Sequence, residues 1–202
     1  MSHITTVATK IRDLDALKDA LAEFGLTLEI GKCLVADYES RQVQCQARVK
    51  FGRYYVGFKA TESGTYTMAG DFSMICGRSS EIPQEIKWKI DEINQLETGN
   101  TRAGGKSYMH GVGTRALLAV IGQAYGKAAV KRFAAEKSMR VTEKKGMLSL
   151  KKPNHTESIA VRIDAEGGIK VEAKGVKGDG CLELTDELEQ ALGTVQKRKK
   201  KP

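Results

Sequence analysis

Residues 42–51, with the sequence QVQCQARVKF, alternate apolar and polar side chains without a break. One side of an extended chain would carry the apolar residues, which are Val43, Cys45, Ala47, Val49 and Phe51. Because successive side chains of a β-strand point to opposite faces, this pattern predicts a strand with one buried and one solvated face. It limits the fold to classes that contain a sheet covered on one side.

Apolar residues at helical spacing predict three helices. Residues 14–24 repeat apolar side chains every three or four positions, with Asp13 suited to cap the helix and Gly25 to end it. Residues 83–96 and 114–137 show comparable spacing. These helices, together with the strand, predict a mixed α and β fold.

Paired alternating segments predict two hairpins. The first consists of residues 54–60 and 65–72 around a Glu62-Ser63-Gly64 turn, and the second of residues 139–143 and 147–150. Strands connected in this way are antiparallel. We therefore expect an α+β protein: an antiparallel sheet with two or three helices, plus a small C-terminal ββα unit.

We predict a main domain over residues 1–152, in which residues 76–115 interrupt the regular pattern as an insertion with a long loop at 97–113. A polar, proline-containing linker separates it from the ββα unit at 157–193, and residues 194–202 form a basic tail. The ββα unit is too small to keep a core alone, so we expect it to dock on the main domain.

The net charge of +8 is unevenly distributed. Residues 116–156 hold nine basic and two acidic groups, whereas residues 157–196 hold four basic and nine acidic groups. Such segregation indicates either an anionic partner, such as nucleic acid, or docking between the acidic and basic segments of the chain itself. The sequence leaves both explanations open.

The predicted helix at 114–137 combines glycines with a basic face. Gly122 and Gly126 would allow a neighbouring element to approach closely. The candidate residues for binding nucleic acid or another anion are Lys127, Lys131, Arg132, Lys137, Arg140, Lys144, Lys145, Lys197, Arg198 and Lys199. Lys151 and Lys152 belong to the same basic segment. The alternative is a solvated helix face and a solubilising tail.

Two glycine-rich segments are candidates for chemistry, and neither has a complete motif. The first segment, GGKSYMHGVGT at residues 104–114, contains the Gly-Lys-Ser ending of a phosphate-loop motif. The motif also requires a glycine at position 100, where this chain has Asn100. KGVKGDGCLEL, residues 174–184, contains the possible reactive thiol Cys181, although its acidic surroundings would raise the thiol pKa. We therefore predict no catalytic residues, no metal site and no cofactor, and an enzyme is the less favoured interpretation.

Three segments resemble a family of uncharacterised proteins found in plastids, cyanobacteria, bacteria and phages, the ycf thirty-five type. They are MSHITTVATKIRDLDALKDALAEFGL, YYVGFKATESGTYTMAGDF and MRVTEKKGMLSLKK. The later segment SIAVRIDAEGGIKVEAKGVKGDGCLELTDELEQALG resembles a small domain of unknown function. The resemblance implies a neighbouring AAA+ ATPase as a protein partner, and it supplies no catalytic residues.

The function expected from these features is a non-enzymatic binding or adaptor protein in a cytosolic assembly, accessory to an AAA+ ATPase. The first alternative is a nonspecific nucleic-acid-binding protein that uses the basic segment 127–152 and the tail. The second is a thiol or small-ligand enzyme. No apolar run reaches membrane-spanning length, and the four scattered cysteines are typical of reduced thiols, so we predict a cytoplasmic protein without a membrane partner.

Overall fold

The predicted α+β class is confirmed by the computed structural model, which contains two antiparallel sheets and four helices in the part of the chain that it describes. The described residues are 5–36, 40–77, 82–98, 112–144, 146–153, 157–164, 169–174 and residue 188.

The first sheet has five strands, and the strand predicted from alternation lies within it. Its strands are β1 (Thr5–Ala8), β2 (Leu28–Ala36), β3 (Gln42–Phe51), β4 (Tyr54–Ala60) and β5 (Tyr66–Gly70). The order across the sheet is β1, β5, β4, β3, β2, and every neighbouring pair is antiparallel. The hairpin predicted at 54–72 is therefore confirmed as β4 and β5.

Strand β2 is an edge of this sheet and carries a bulge. Its register against β3 shifts between Ile30 and Cys33. Gly31 lies within the shift with a φ of 140°, a backbone conformation that glycine adopts more readily than other residues. A bulge of this kind interrupts the ladder and bends the strand.

The helices are α1 (Leu14–Ala22), α2 (Phe72–Gly77), α3 (Gln84–Thr98) and α4 (Val112–Glu136). The predicted cap of α1 is confirmed, because a side-chain oxygen of Asp13 accepts a hydrogen bond from the backbone N–H of Asp15 at 2.8 Å. The predicted second strand of the hairpin, residues 65–72, is wrong at its end, because β5 ends at Gly70 and α2 begins at Phe72. Residue 71 is a buried aspartate whose Oδ1 accepts from the Met74 N–H at 3.2 Å, which favours a helix start rather than a continuing strand.

Helix α4 is the central element of the molecule. It packs against α1, α2 and α3 and also contacts β6 (Arg140–Lys144) and β8 (Ser158–Ile163). The close approach predicted at Gly126 is confirmed: a Cβ atom added there would lie 3.0 Å from Cδ1 of Ile169 and 3.2 Å from Cδ1 of Ile163. Most residues of α4 are therefore buried, and only a narrow side of the helix is exposed to solvent.

The second sheet has four antiparallel strands in chain order: β6, β7 (Met147–Lys151), β8 and β9 (Ile169–Lys174). The hairpin predicted at 139–150 is confirmed as β6 and β7. Strand β7 pairs with β8 along its whole length, so the sheet contains strands from both sides of the predicted linker. The division of the chain into domains stays a prediction.

One large apolar cluster joins the two sheets and the helices. It includes Phe51 and Phe58 from the first sheet, Leu117 from α4 and Leu150 from the second sheet. Leu188 is also buried in it, and the other residues of the helix predicted in the ββα unit lie outside the described residues. Burial of this continuous apolar surface is the main stabilising contribution to the fold.

Candidate functional site

The basic residues predicted on α4 are engaged with acidic side chains. Nζ of Lys131 lies 2.8 Å from Oε1 of Glu23, and Nη1 of Arg132 lies 3.0 Å from Oδ2 of Asp19. Nζ of Lys127 lies 2.6 Å from Oε1 of Glu143 on β6. These acidic partners lie on α1, directly after it and on β6, outside the acidic segment 157–196, so docking between the acidic and basic segments stays a prediction.

These contacts shift the pKa values of the paired groups in the direction expected for ion pairs. The hydrogen bond from Lys127 lowers the pKa of the Glu143 carboxyl, and the hydrogen bond to Asp19 raises the pKa of the Arg132 guanidinium. Asp13 and Asp15 are also within 4 Å of Arg132, at 3.7 and 3.8 Å. The acidic side of α1 therefore neutralises much of the charge on α4.

The predicted residues beyond the middle of α4 have different surroundings. Lys137 lies over the ring of Phe133, with Nζ 5.9 Å from the ring centroid. Arg140 and Lys144 are exposed on β6. Lys145, Lys197, Arg198 and Lys199 lie outside the described residues. Arg140 and Lys144 therefore belong to a second basic surface, separate from the exposed side of α4.

That surface is the outward side of the second sheet. The inward side is defined by Leu148, Leu150, Ile159 and Val161, which are buried in the core. Alternation along each strand places the remaining residues on the opposite, outward side. The exposed basic residues described there are Arg140, Lys144, Lys151, Arg162 and Lys170. We call this surface the basic face.

Strand register arranges the basic face in three rows across the sheet. The first row consists of Arg140, Lys151 and Ser158. The middle row consists of Thr142, Ser149, Ala160 and Glu172. The third row consists of Lys144, Met147, Arg162 and Lys170. The cations thus lie at the two ends of the strands, with shorter and mostly uncharged residues between them.

Two pairs of like charges stand directly opposite each other on the basic face. Arg140 is the register partner of Lys151, and Arg162 is the register partner of Lys170. Side chains in this relation have Cβ atoms about 5 Å apart, and like charges there destabilise a sheet. Of the described outward positions, the one acidic residue is Glu172 in the middle row. The basic face is therefore suited to an anion that supplies the missing negative charge.

The basic face contains three residues that the sequence does not predict as candidate binding residues: Lys151, Arg162 and Lys170. Lys151 was recognised as part of the basic segment, whereas Arg162 and Lys170 lie in the segment with an acidic net charge. Their outward direction follows from the alternation of SIAVRI and IKVEAK. Their position in the same row as Lys144 follows only from strand order, which alternation does not reveal.

The described cysteines lack the features of a reactive site. Cys45 and Cys76 are buried, and Cys33 is half-buried. Burial raises the pKa of the Cys76 thiol to about 12, and it also raises the pKa values of Cys33 and Cys45. Within the described ranges, no group of three His, Cys, Asp or Glu side chains is placed to hold a metal ion. Cys181 lies outside those ranges.

An open depression of about 430 Å³ lies beside the edge strand β2. It is lined by apolar and charged side chains, among them Ile30, Leu34 and Arg48. Ile30 and Leu34 are 52% and 50% exposed, which is high for large apolar residues. The Arg48 guanidinium is held by Glu29 at 2.7 Å and stacks on Tyr55 at 4.3 Å from the ring centroid.

Comparisons with known proteins assign only the C-terminal part of the chain. Residues 159–202 match the profile of a family described as "Protein of unknown function (DUF2997)". The match includes β9 and all of β8 except Ser158, and therefore Arg162 and Lys170 of the basic face. The resemblance of the N-terminal residues to the ycf thirty-five type is not confirmed. No protein with a curated description and no solved structure matches the chain.

The described residues include four helices. None of the helices there combines the length and the apolar character that crossing a bilayer requires.

Proposed function

We propose that this protein binds the phosphate backbone of nucleic acid through the basic face of its four-stranded sheet. The observation that carries the proposal is the pairing of Arg140 with Lys151 and of Arg162 with Lys170 in the strand register. Adjacent like charges cost stability in the free protein, and a phosphate chain bound across them would relieve their repulsion.

The contrast with α4 supports the choice of surface. Lys131 and Arg132 contact carboxylates within the protein, so their charge is largely neutralised before any ligand arrives. A phosphate chain would have to displace those carboxylates. The cations of the basic face stand beside one another instead, where a polyanion gains from each of them and releases counterions as it binds.

The test compares two double variants that remove the same charge. Arg162→Gln/Lys170→Gln removes two cations from the basic face, and Lys131→Gln/Arg132→Gln removes two cations from the ion pairs of α4. We expect the first variant to bind a fluorescent oligonucleotide roughly tenfold more weakly at low salt, and the second to bind nearly as well as the wild type. Fluorescence anisotropy measures both.

Two controls accompany these binding measurements: one for the folding of the variants and one for the class of ligand. Exposed ion pairs contribute about 0.2–1 kcal/mol each, so the α4 variant should remain folded by thermal denaturation. Equal weakening in both variants would show that net charge, rather than the basic face, governs binding. Tighter binding to vesicles of anionic lipid or to a polyglutamate peptide than to the oligonucleotide, at the same salt, would contradict a nucleic-acid function.

A second candidate function is the adaptor role, for which the exposed apolar side chains of β2 are the supporting observation. Ile30 and Leu34 both line the depression beside Arg48 and are about half exposed, so a partner protein that covered β2 would remove their apolar surface from water. The AAA+ ATPase implied by the sequence resemblance stays a prediction. On this alternative, an apolar segment of a partner protein would cover β2.

The adaptor role is tested by capture at high salt, where contacts to phosphate are weakened and apolar contacts persist. The tagged wild type and a Leu34→Lys variant are compared, because Leu34 is half-exposed and its replacement leaves the core intact. A partner that is retained by the wild type and lost with the variant supports the role. Equal recovery with both proteins would contradict docking at β2.

A further inference from the structure

The spacing of the cations on the basic face restricts the kind of nucleic acid that fits it. Arg140 and Lys144 are four residues apart on β6, which separates the first and third rows by about 14 Å at a rise of about 3.4 Å per residue. Lys144 and Lys170 lie on the two outer strands, about 14 Å apart at about 4.8 Å per strand. The face is thus about as wide as it is long.

Proteins that hold single-stranded nucleic acid usually stack its bases on aromatic side chains. None of the described outward positions of this sheet carries an aromatic residue. The middle row offers the short side chains of Thr142, Ser149 and Ala160, and it ends at Glu172 on the outer strand β9. Such a surface provides cations for phosphates and no platform for unstacked bases.

A duplex presents two phosphate chains on either side of a groove, and the major groove of B-form DNA is about 12 Å wide and about 8.5 Å deep. The two rows of cations, about 14 Å apart, match the separation of chains that border such a groove. Apart from Glu172 on the outer strand β9, the side chains of the middle row are too short to reach base edges at that depth. The major groove of an RNA duplex, by contrast, is deep and narrow.

From this geometry we infer that the ligand is double-stranded DNA, bound by its two phosphate chains across the major groove without base readout. The inference rests on the nucleic-acid-binding function proposed above. If all five cations contact phosphates, the logarithm of the binding constant should fall with the logarithm of salt concentration with a slope of about −4.5. The Arg162→Gln/Lys170→Gln variant should reduce that slope to about −2.7.

The experiment measures binding of the full chain to four labelled probes of equal length. They are a DNA duplex, one of its single strands, an RNA duplex of the same sequence, and a DNA duplex of unrelated sequence. We expect the two DNA duplexes to bind equally well, and both to bind at least tenfold more tightly than the single strand and the RNA duplex.

Each other result has a distinct meaning. Equal or tighter binding of the single strand or of the RNA duplex would overturn the assignment of duplex DNA while leaving the nucleic-acid function in place. A tenfold preference between the two DNA duplexes would overturn recognition by backbone alone. Failure to bind any of the four probes at low salt would overturn the proposed function itself.

Discussion

The hydroxyl oxygen of Tyr125 accepts a hydrogen bond from the backbone N–H of Arg12 at 3.1 Å. It also accepts one from the backbone N–H of Asp13 at 3.3 Å. Tyr125 is buried on α4, whereas Arg12 and Asp13 immediately precede α1. One side chain thus satisfies two donors at the start of a helix 112 residues away in sequence.

Tyr125→Phe should destabilise the protein by about 1–3 kcal/mol, because two backbone donors lose this acceptor in a partly buried site. The free energy of unfolding, measured by urea denaturation, gives the difference. Tyr54→Phe is the control, since Tyr54 is half-buried on β4 and its replacement should change stability by less than about 0.5 kcal/mol. Equal effects of the two substitutions would show that the Tyr125 hydroxyl has no special role.

Gly57→Ala should destabilise the first sheet by about 1–3 kcal/mol through overpacking. A Cβ atom at this position would lie 2.7 Å from Cγ2 of Val35 and closer still to Sγ of Cys45, and both of those side chains are buried. A double-mutant cycle with Cys45→Ala checks the cause by chemical denaturation. The cost of Gly57→Ala should shrink in the Cys45→Ala background, and an unchanged cost would mean that the clash is not with Sγ.

Two substitutions of Gly126 distinguish the effect of helix propensity on stability from the effect of packing. Gly126→Ala should change stability by less than about 1 kcal/mol, because the gain in helix propensity offsets tight contacts with the flexible ends of Ile163 and Ile169. Gly126→Val should be at least about 1 kcal/mol less stable than Gly126→Ala, since its larger side chain must push the second sheet away. Thermal denaturation of the two variants gives the order, and the reverse order would contradict close packing at this position.

The buried thiol of Cys76 should make stability depend on pH in alkaline solution. Its pKa in the folded protein is about 12, against 9.0 as the ordinary value, so the folded state holds this proton more tightly than the unfolded chain does. The stabilising contribution is complete below pH 9 and is lost as pH rises from about 9 to 12. The free energy of unfolding of Cys76→Ala should therefore fall less steeply across this interval, by about 1.4 kcal/mol per pH unit. Parallel slopes for the two proteins would show that the thiol is not protected.

Local patterns were sufficient to predict most of the described strands and helices, but not how they pair. Alternation located β3, and the Asp13 cap located the start of α1. Helix α2 was missed because it is only six residues long and follows a strand directly, which left Asp71 as its one sequence signal.

The candidate site was less accessible to sequence reasoning, because its charges come together through tertiary contacts. Lys131 and Glu23 are 108 residues apart in the chain, so no local pattern shows that they form a pair. Arg162 and Lys170 could be assigned to an outward face from alternation, but their row with Lys144 requires the order of all four strands. Local spacing predicts the direction of a side chain and not its neighbours on the next strand.

The displaced register of β2 also affects how separate copies of the chain behave when concentrated. A long, regular border of unpaired N–H and C=O groups is a template on which a second molecule can add its own strand, and repetition of that step produces fibres. The bend at Gly31 divides this border into two short stretches that no single straight strand can follow. Growth of ordered aggregates from this side of the molecule is thereby opposed by the backbone itself.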